Sequence, residues 1–129
     1  MLYGASSGYV YRPGDVPIEL RFADPKLGAS MATERELKRR WGKNWKILQS
    51  RLAALRAADT LALLTTTGVA GRTHALTADR SGQYAMHLWG AYRLVFVPDG
   101  EWRHTEDGGI DEHTVTNASV LEVVDYHGR

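Results

Sequence analysis

The sequence predicts an α+β fold, in which a small twisted antiparallel sheet is packed by two or three N-terminal helices in the order β-α-α-β-β-β-β. Three observations lead to this prediction. Apolar residues recur at helical spacing between 33 and 56, they recur at every second residue from 72 onward, and Gly90-Ala91 separates two of the alternating segments. Helices followed by a run of strands are typical of the α+β class. With 129 residues, of which 43% are hydrophobic, the chain suits one domain with one core.

The first strand and the first helix have clear local signals. Between 17 and 23, Ile18, Leu20 and Phe22 alternate with charged residues, which predicts a half-buried strand. The sequence Thr33-Glu-Arg-Glu36 fits a capping box, in which the Thr33 hydroxyl accepts from the backbone N–H of Glu36 and the Glu36 carboxylate reaches back. The helix that follows is expected to end at Gly42.

A second helix is predicted after Asn44, and a short stretch from Asp59 to Leu64 is expected to be helical or extended. The period-two segments 72–77, 83–89, 92–97 and 119–124 are predicted strands. The Gly90-Ala91 connection suits a type II′ turn, because glycine supplies the positive φ. Alternation places two sets of side chains on the faces toward the helices: Tyr84, Met86 and Leu88, and Tyr92, Leu94 and Phe96.

The charge of the chain is unevenly distributed. The formal net charge is only +1, which is low for a protein that neutralises nucleic-acid phosphates. However, residues 1–56 hold eleven Lys and Arg against five Asp and Glu, whereas residues 57–129 hold five against ten. Six of those ten acids lie between Asp99 and Glu112. We therefore predict a basic helical half and an acidic, solvated loop inserted at 98–117.

Other features of the sequence exclude several classes of protein. The chain has no cysteine, so disulfides, thiolate zinc sites and thiol nucleophiles are excluded. The apolar run from Leu61 to Leu64 is far shorter than the ~20 residues of a membrane span, and no signal pattern is visible. We expect a cytoplasmic protein with no membrane contact. Residues 1–16, rich in glycine and serine, are predicted to be a flexible extension of a single domain at 17–129.

Several polar residues lie where side chains of different strands can converge. His74 is either a general acid or base or a strand histidine bonded to backbone, and Arg93 either holds an anion or forms an ion pair. Asp125, Tyr126 and His127 offer an acid, an aromatic ring and an imidazole, or are an ordinary chain end. The set His74, Asp125 and His127 lacks the spacing of a zinc motif, so we predict neither a metal nor a cofactor.

Three stretches together carry a family resemblance: His74-Ala-Leu-Thr-Ala-Asp-Arg-Ser-Gly-Gln-Tyr84, Tyr92-Arg-Leu-Val-Phe96 and Glu122-Val-Val-Asp-Tyr-His127. In this order they resemble the HigB-type "killer protein" toxins of the RelE superfamily, and the resemblance runs from about Pro17 to His127. It implies a RelE-like fold and a toxin of a bacterial type II toxin–antitoxin pair. Such a toxin is a ribosome-dependent mRNA endoribonuclease, is neutralised by a HigA-like helix-turn-helix antitoxin, and meets operator DNA only through that antitoxin.

The resemblance also implies roles for individual residues. His74 and Arg93 match the family's active-site histidine and strand arginine, and the family's C-terminal catalytic cluster matches Asp125, Tyr126 and His127. Cleavage of RNA without metal needs a base for the 2′-hydroxyl, a cation for the phosphorane and an acid for the leaving oxygen. The base is then His74 or Asp125, the clamp Arg93 and the acid His127, and the sequence does not decide between the two bases. Further RNA contacts are expected from five cations: Arg72, Arg80, Lys38, Arg39 and Lys43.

One departure from the family and two rival functions follow from the same residues. Many relatives carry Lys where this chain has Thr77, which shifts the expected RNA contact onto Arg72 and Arg80. A ParE-like toxin that inhibits DNA gyrase is one rival, although His74 and the 125–127 cluster argue against it. The other rival is an inactive homologue that serves only as antitoxin partner and co-repressor.

Overall fold

One five-stranded sheet organises the protein, whose computed structural model describes residues 18–126. The predicted extension at 1–16 and the candidate His127 lie outside the described residues. The strand order across the sheet is first, fifth, fourth, third, second. In chain order the strands are β1 (Glu19–Phe22), β2 (His74–Ala75), β3 (Tyr84–His87), β4 (Tyr92–Pro98) and β5 (Asn117–Asp125). The predicted α+β class is confirmed.

The sheet is mixed rather than wholly antiparallel. β1 pairs with β5 in parallel, with Glu19 opposite Asn117, whereas the pairs β2–β3, β3–β4 and β4–β5 are antiparallel. The prediction of an antiparallel sheet was wrong for β1, because period-two alternation shows which side chains are buried and carries no strand direction. The long connection that parallel strands need is, for β1 and β5, the whole chain between them, which comprises the helices and then β2, β3 and β4.

Four helices precede β2: α1 (Pro25–Ser30), α2 (Glu34–Trp41), α3 (Trp45–Ala57) and α4 (Leu61–Thr67). The unpredicted α1 is a six-residue helix with Pro25 at its start, capped by the Asp24 carboxylate, which accepts from the backbone N–H of Lys26 at 3.0 Å. The stretch from Asp59 to Leu64, left open by the sequence, contains the start of α4. That helix ends at Gly68, whose φ is +65°.

Half of the predicted capping box is present. The Thr33 hydroxyl accepts from the N–H of Glu36 at 3.1 Å, as predicted. The Glu36 carboxylate was predicted to reach back to the start of the helix. Instead it forms salt bridges with Arg39 at 3.4 Å and Arg40 at 3.5 Å along the same helix. The predicted cap Asn44 makes no side-chain cap bond and ends a 3-10 turn (Gly42–Asn44) that leads into α3.

The core lies between the helices and one face of the sheet. Leu48, Leu52 and Leu55 of α3 are fully buried, and the inward residues of β3 and β4 are Tyr84, Met86, Leu94 and Phe96. The predicted inward faces of β3 and β4 are therefore confirmed for these residues. Within the described part of the chain, no helix has both the length and the apolar character needed to span a membrane.

The acidic segment between β4 and β5 is anchored to the core, unlike the freely solvated loop that was predicted. Trp102 and Ile110 pack against the core cluster. The Glu112 carboxylate accepts hydrogen bonds from the Tyr84 hydroxyl at 2.7 Å and from the Thr65 hydroxyl at 2.5 Å. The sequence pattern missed this anchoring because the apolar residues are spaced irregularly and the acceptor is itself one of the six acids.

Candidate active site

A cavity of about 610 Å³ brings together side chains from β2, β3, β4 and the loop before β2. Its lining consists of Gly71, Arg72, His74, His87 and Arg93. The sequence singled out three of these residues, His74, Arg93 and Arg72. Two larger depressions fit less well: a groove of about 760 Å³ between α2 and α3 has no histidine in its lining, and one of about 890 Å³ at the acidic segment combines His104 and His113 with a single arginine and the acid Glu101. The smaller cavity, with two histidines, two arginines and no acid, is therefore the better candidate for proton transfer on an anionic substrate.

His74 lies on β2, at the exposed edge of the sheet. Its Nδ1 is 2.9 Å from the backbone carbonyl oxygen of Arg72. A carbonyl oxygen only accepts hydrogen bonds, so Nδ1 carries the proton and, in the neutral ring, the other nitrogen keeps its lone pair. Of the two interpretations of His74, the hydrogen bond to backbone is present at Nδ1. The second ring nitrogen, Nε2, stays available for acid–base chemistry.

Arg72 holds an unusual backbone conformation beside this histidine. Its φ is +53°, in the left-handed region that residues with a Cβ rarely occupy. Such conformations cost roughly 1–3 kcal/mol and cluster at functional sites. Ala78 also has a positive φ of +57°, and the two positions flank β2. The positive φ of Arg72 excludes this residue from the predicted strand at 72–77, of which the structure retains His74–Ala75.

Arg93 is held by backbone groups rather than by a carboxylate. Its Nη1 donates to the carbonyl oxygens of Tyr92 at 2.9 Å and Gly90 at 3.2 Å, and its guanidinium carbon lies 5.8 Å from the centre of the Tyr126 ring. Within residues 18–126, Arg93 takes part in no salt bridge. Its positive charge therefore favours the anion-binding alternative of the two that the sequence left open.

His87 is the residue of the cavity that the sequence did not single out. It ends β3 and lies directly opposite Arg93 of β4. Burial lowers the pKa of His87, and the neighbouring cations Arg93, Arg51 and Arg72 lower it further. With a regular two-residue turn at 90–91, residue 93 pairs with residue 88. The sequence therefore did not predict that His87 lies opposite Arg93. In the structure Trp89 is an extra residue between the ladder and the turn, because Leu88 bonds Tyr92 and Tyr92 bonds Trp89.

The tight turn itself agrees with the sequence. The N–H of Tyr92 donates to the carbonyl oxygen of Trp89 at 2.9 Å, with Gly90 and Ala91 between them. Gly90 has a φ of +55°, whereas Ala91 does not adopt a positive φ. Positive φ at the first central position only is the pattern of the predicted type II′ turn.

The two described C-terminal candidates, Asp125 and Tyr126, lie at the end of β5. Tyr126 faces Arg93, and its N–H donates to the carbonyl oxygen of Ala91 at 3.0 Å. Asp125 pairs with Tyr92, one position beyond the partner of Arg93, and the described lining of the cavity does not include it. Successive residues of a strand point to opposite faces, so Asp125 points away from the face that carries Arg93.

The remaining predicted RNA contacts are bonded to protein groups or lie on the helices. Arg80 forms a salt bridge with Glu122 of β5 at 2.8 Å and donates to the side-chain oxygen of Gln83 at 2.7 Å. On α2, the Lys38 ammonium is 3.6 Å from Glu34, and Arg39 bonds Glu36. Lys43 is exposed in the 3-10 turn before α3. These four residues do not line the cavity, and their contact with RNA stays a prediction.

The cavity thus combines two imidazoles with two guanidiniums. Guanidinium groups bind phosphate oxygens, and imidazoles accept and donate protons near neutral pH. Within residues 18–126, no three His, Cys, Asp or Glu side chains cluster as metal ligands. The described residues therefore define an α+β protein with a cationic cavity suited to an anionic substrate and to proton transfer.

Comparison with known proteins adds little to this description. No protein-family model matches the chain, and no curated protein matches it. Among solved structures, the chain is similar to a YoeB/ParE toxin from Agrobacterium tumefaciens, with 11% sequence identity and a TM-score of 0.44. The match covers 85% of this chain and 100% of that one. A similarity of this size does not establish a shared fold.

Proposed function

We propose that this protein is a RelE-superfamily toxin of a type II toxin–antitoxin pair, of the HigB type, and that it cleaves mRNA on the ribosome. The observation that carries the proposal is the single cavity into which His74, Arg72 and Arg93 all point, with His87 beside them. The sequence resemblance had named His74 and Arg93 as active-site residues. Their meeting in one cavity from different strands is what such a role requires.

The proposed reaction is metal-independent cleavage by the ribose 2′-hydroxyl. The 2′-oxygen attacks the adjacent phosphorus, its proton passes to a base, the bond from phosphorus to the 5′-oxygen breaks, and an acid protonates that oxygen. Arg93 and Arg72 bind the non-bridging oxygens, whose negative charge grows in the transition state. Because Arg93 donates to two carbonyl oxygens and lies over the Tyr126 ring, its guanidinium is positioned before substrate arrives.

The proposal includes the partners that the resemblance implies. A HigA-like helix-turn-helix antitoxin would neutralise the toxin, and operator DNA would be reached only through that antitoxin. The ribosome and mRNA would meet the basic helical half, in which Lys43 is exposed and Lys38 and Lys46 flank the Trp45 ring at 5.0 and 5.8 Å. Synthesis, target and antitoxin would all lie in the cytoplasm.

A cleavage assay on translated mRNA tests the proposal. Purified protein is added to a reconstituted translation reaction, and primer extension maps the 5′ ends of the fragments. Wild-type protein is expected to cut mRNA only while it is translated, and an mRNA with a 2′-deoxyribose at the cut site is expected to resist. Arg93→Gln is expected to lower the rate about 10²–10³-fold, as the loss of one transition-state cation does. Arg21→Gln, an exposed arginine on β1, is the charge-matched control.

Three results would contradict the proposal. Intact mRNA with inhibited gyrase supercoiling would favour the ParE-like alternative. Normal growth on expression without antitoxin would favour the inactive homologue. Cleavage of the 2′-deoxy mRNA would exclude 2′-hydroxyl attack.

A further inference from the structure

The backbone of His87 is fixed by two groups from outside the sheet. Its N–H donates to the carbonyl oxygen of Gly71 at 2.7 Å, and its carbonyl oxygen accepts from Nε of Arg51 at 2.8 Å. Gly71 belongs to the loop before β2, and Arg51 belongs to α3. The strand β3, the loop before β2 and the helix α3 therefore meet at His87.

Gly71 comes so close that no larger residue fits. A Cβ atom at this position would lie 2.5 Å from the carbonyl oxygen of His87, 2.7 Å from Nε of Arg51 and 2.9 Å from the N of His87. These distances are shorter than real Cβ contacts, and the φ of Gly71 is +64°, which favours glycine as well. The sequence thus provides a dedicated backbone clamp for His87.

The side chain of His87 faces the phosphate-binding cations of the cavity. His87 and Arg93 are directly opposite, and the N–H of the next residue, Leu88, bonds Tyr92 at 3.0 Å. His87 and Arg93 are therefore a non-hydrogen-bonded pair, in which Cβ atoms are about 4.5–5.5 Å apart. Arg72 and His74 complete the lining on the β2 side.

The groups around His87 keep its imidazole neutral. The charged groups that face it are Arg93 from β4, Arg51 from α3 and Arg72 from the loop before β2, and all three are cations. Together with burial they lower its pKa, so at neutral pH the ring has a free lone pair. A neutral imidazole beside two phosphate-binding guanidiniums has the properties of a general base.

We propose that His87 is the base that takes the proton from the RNA 2′-hydroxyl, and this inference rests on the function proposed above. The lone pair of His87 accepts the proton as the 2′-oxygen bonds to phosphorus. The bond from phosphorus to the 5′-oxygen breaks, and a separate acid protonates that oxygen; His74 is the other imidazole of the described site. Arg51 is a positioning residue, because it holds the backbone of His87.

The test compares His87→Gln with His113→Gln in single-turnover cleavage on the ribosome between pH 5 and 9. His113 is an exposed histidine in the 3-10 turn (Glu112–Thr114) before β5 and lies outside the cavity. Wild-type protein is expected to show a rate that rises with pH as His87 loses its proton. His87→Gln is expected to be about 10²–10⁴-fold slower and to lack that rise, whereas His113→Gln is expected to keep the wild-type profile.

A modified substrate separates base from acid. In mRNA with a 5′-phosphorothiolate at the cut site, the leaving sulfur needs no protonation. A variant that lacks the acid should therefore cleave this substrate at the wild-type rate, whereas a variant that lacks the base should remain slow. We expect this substrate to restore cleavage by His74→Gln and not by His87→Gln. Arg51→Gln is expected to slow cleavage and to move the rise of the rate to higher pH, because a cation near His87 is lost, and Arg51→Lys is expected to restore the position of that rise.

The outcomes are distinct. A wild-type protein that cleaves while His87→Gln retains its rate and its rise with pH would overturn this inference and leave the proposed function intact. A wild-type protein that never cleaves would overturn both. If His87→Gln fails to fold, NMR of the wild-type His87 ring decides: binding of mRNA with a 2′-deoxyribose at the cut site must shift its resonances, and unchanged resonances would overturn the inference.

Discussion

Replacing Gly71 by alanine is expected to destabilise the protein far more than an ordinary glycine substitution does. The added methyl group would overlap the backbone of His87 and Nε of Arg51, at 2.5 and 2.7 Å. The loop must then move away, and two hydrogen bonds are lost or stretched, from His87 to Gly71 and from Arg51 to His87.

The size of the effect follows from these contacts. A residue with a Cβ costs about 1–2 kcal/mol in the left-handed region, where Gly71 has its φ of +64°. The two hydrogen bonds contribute about 1 kcal/mol each. The free energy of unfolding should therefore fall by about 3–4 kcal/mol. For a chain of 129 residues this lowers the melting temperature by about 4 °C per kcal/mol.

Gly68→Ala is the matched control. Gly68 has nearly the same φ, +65°, but the nearest heavy atom to an added Cβ is the Cα of Arg72 at 3.9 Å. Its replacement by alanine should lower the free energy of unfolding only by the cost of a left-handed backbone conformation, about 1–2 kcal/mol. Urea unfolding followed by tryptophan fluorescence measures both variants. Equal losses of stability in the two variants would refute the reasoning that the contact with His87 and Arg51, rather than φ, makes glycine necessary at 71.

Three further predictions concern pH, the anchor of the acidic segment and its charge. Because the pKa of His87 is lowered in the folded protein, the unfolded chain binds more protons below about pH 6.5, and stability falls as the pH drops from 7.5 to 5. His87→Gln should make this fall smaller in urea titrations at the two pH values, and an unchanged fall would contradict the assigned pKa shift. Tyr84→Phe removes the donor to the Glu112 carboxylate and should cost about 1–3 kcal/mol of unfolding free energy, most of which should vanish in a Glu112→Ala background, where no side-chain acceptor remains; a cost independent of that background would exclude the pair as an anchor. Replacing the exposed Glu101 and Glu106 by glutamine should tighten RNA binding at low salt and have little effect at high salt, and an affinity unchanged at both would show that the segment faces away from bound RNA.

Most of the fold could be predicted from the periodicity of apolar residues. The elements that could not be predicted, α1 and the direction of β1, were missed for physical reasons. Helical and period-two spacing located α2, α3, β3 and β4 because each buries one regular face. The helix α1 has only six residues, which is too short for a periodic stripe, and it depends on Asp24 and Pro25 at its start. The direction of β1 depends on its pairing with β5, about a hundred residues later, and no local pattern contains that information.

Part of the candidate active site could be predicted from the sequence. His74 and Arg93 were named from residue type, strand position and family resemblance, and the structure places both in one cavity. His87 was missed because its pairing with Arg93 depends on one extra residue, Trp89, beside the turn. Arg80 was named for RNA contact because it is a cation beside a predicted turn, where the resembling family keeps a basic residue, and the sequence contains no sign that Glu122, 42 residues later, forms a salt bridge with it.

The pairing of the first strand with the last constrains how this protein is made. β1 is held beside β5, with Glu19 opposite Asn117 and Phe22 opposite Val120. A nascent chain cannot pair β1 with β5 until β5 has left the exit tunnel, and contacts so distant in sequence form late in folding. Arg93, already paired with His87 of β3, likewise lacks the second of its two neighbouring strands until Val124 has been synthesised. The sheet is therefore complete only once the chain extends about a hundred residues beyond β1, and any folding intermediate that lacks β5 leaves β1 without a partner strand.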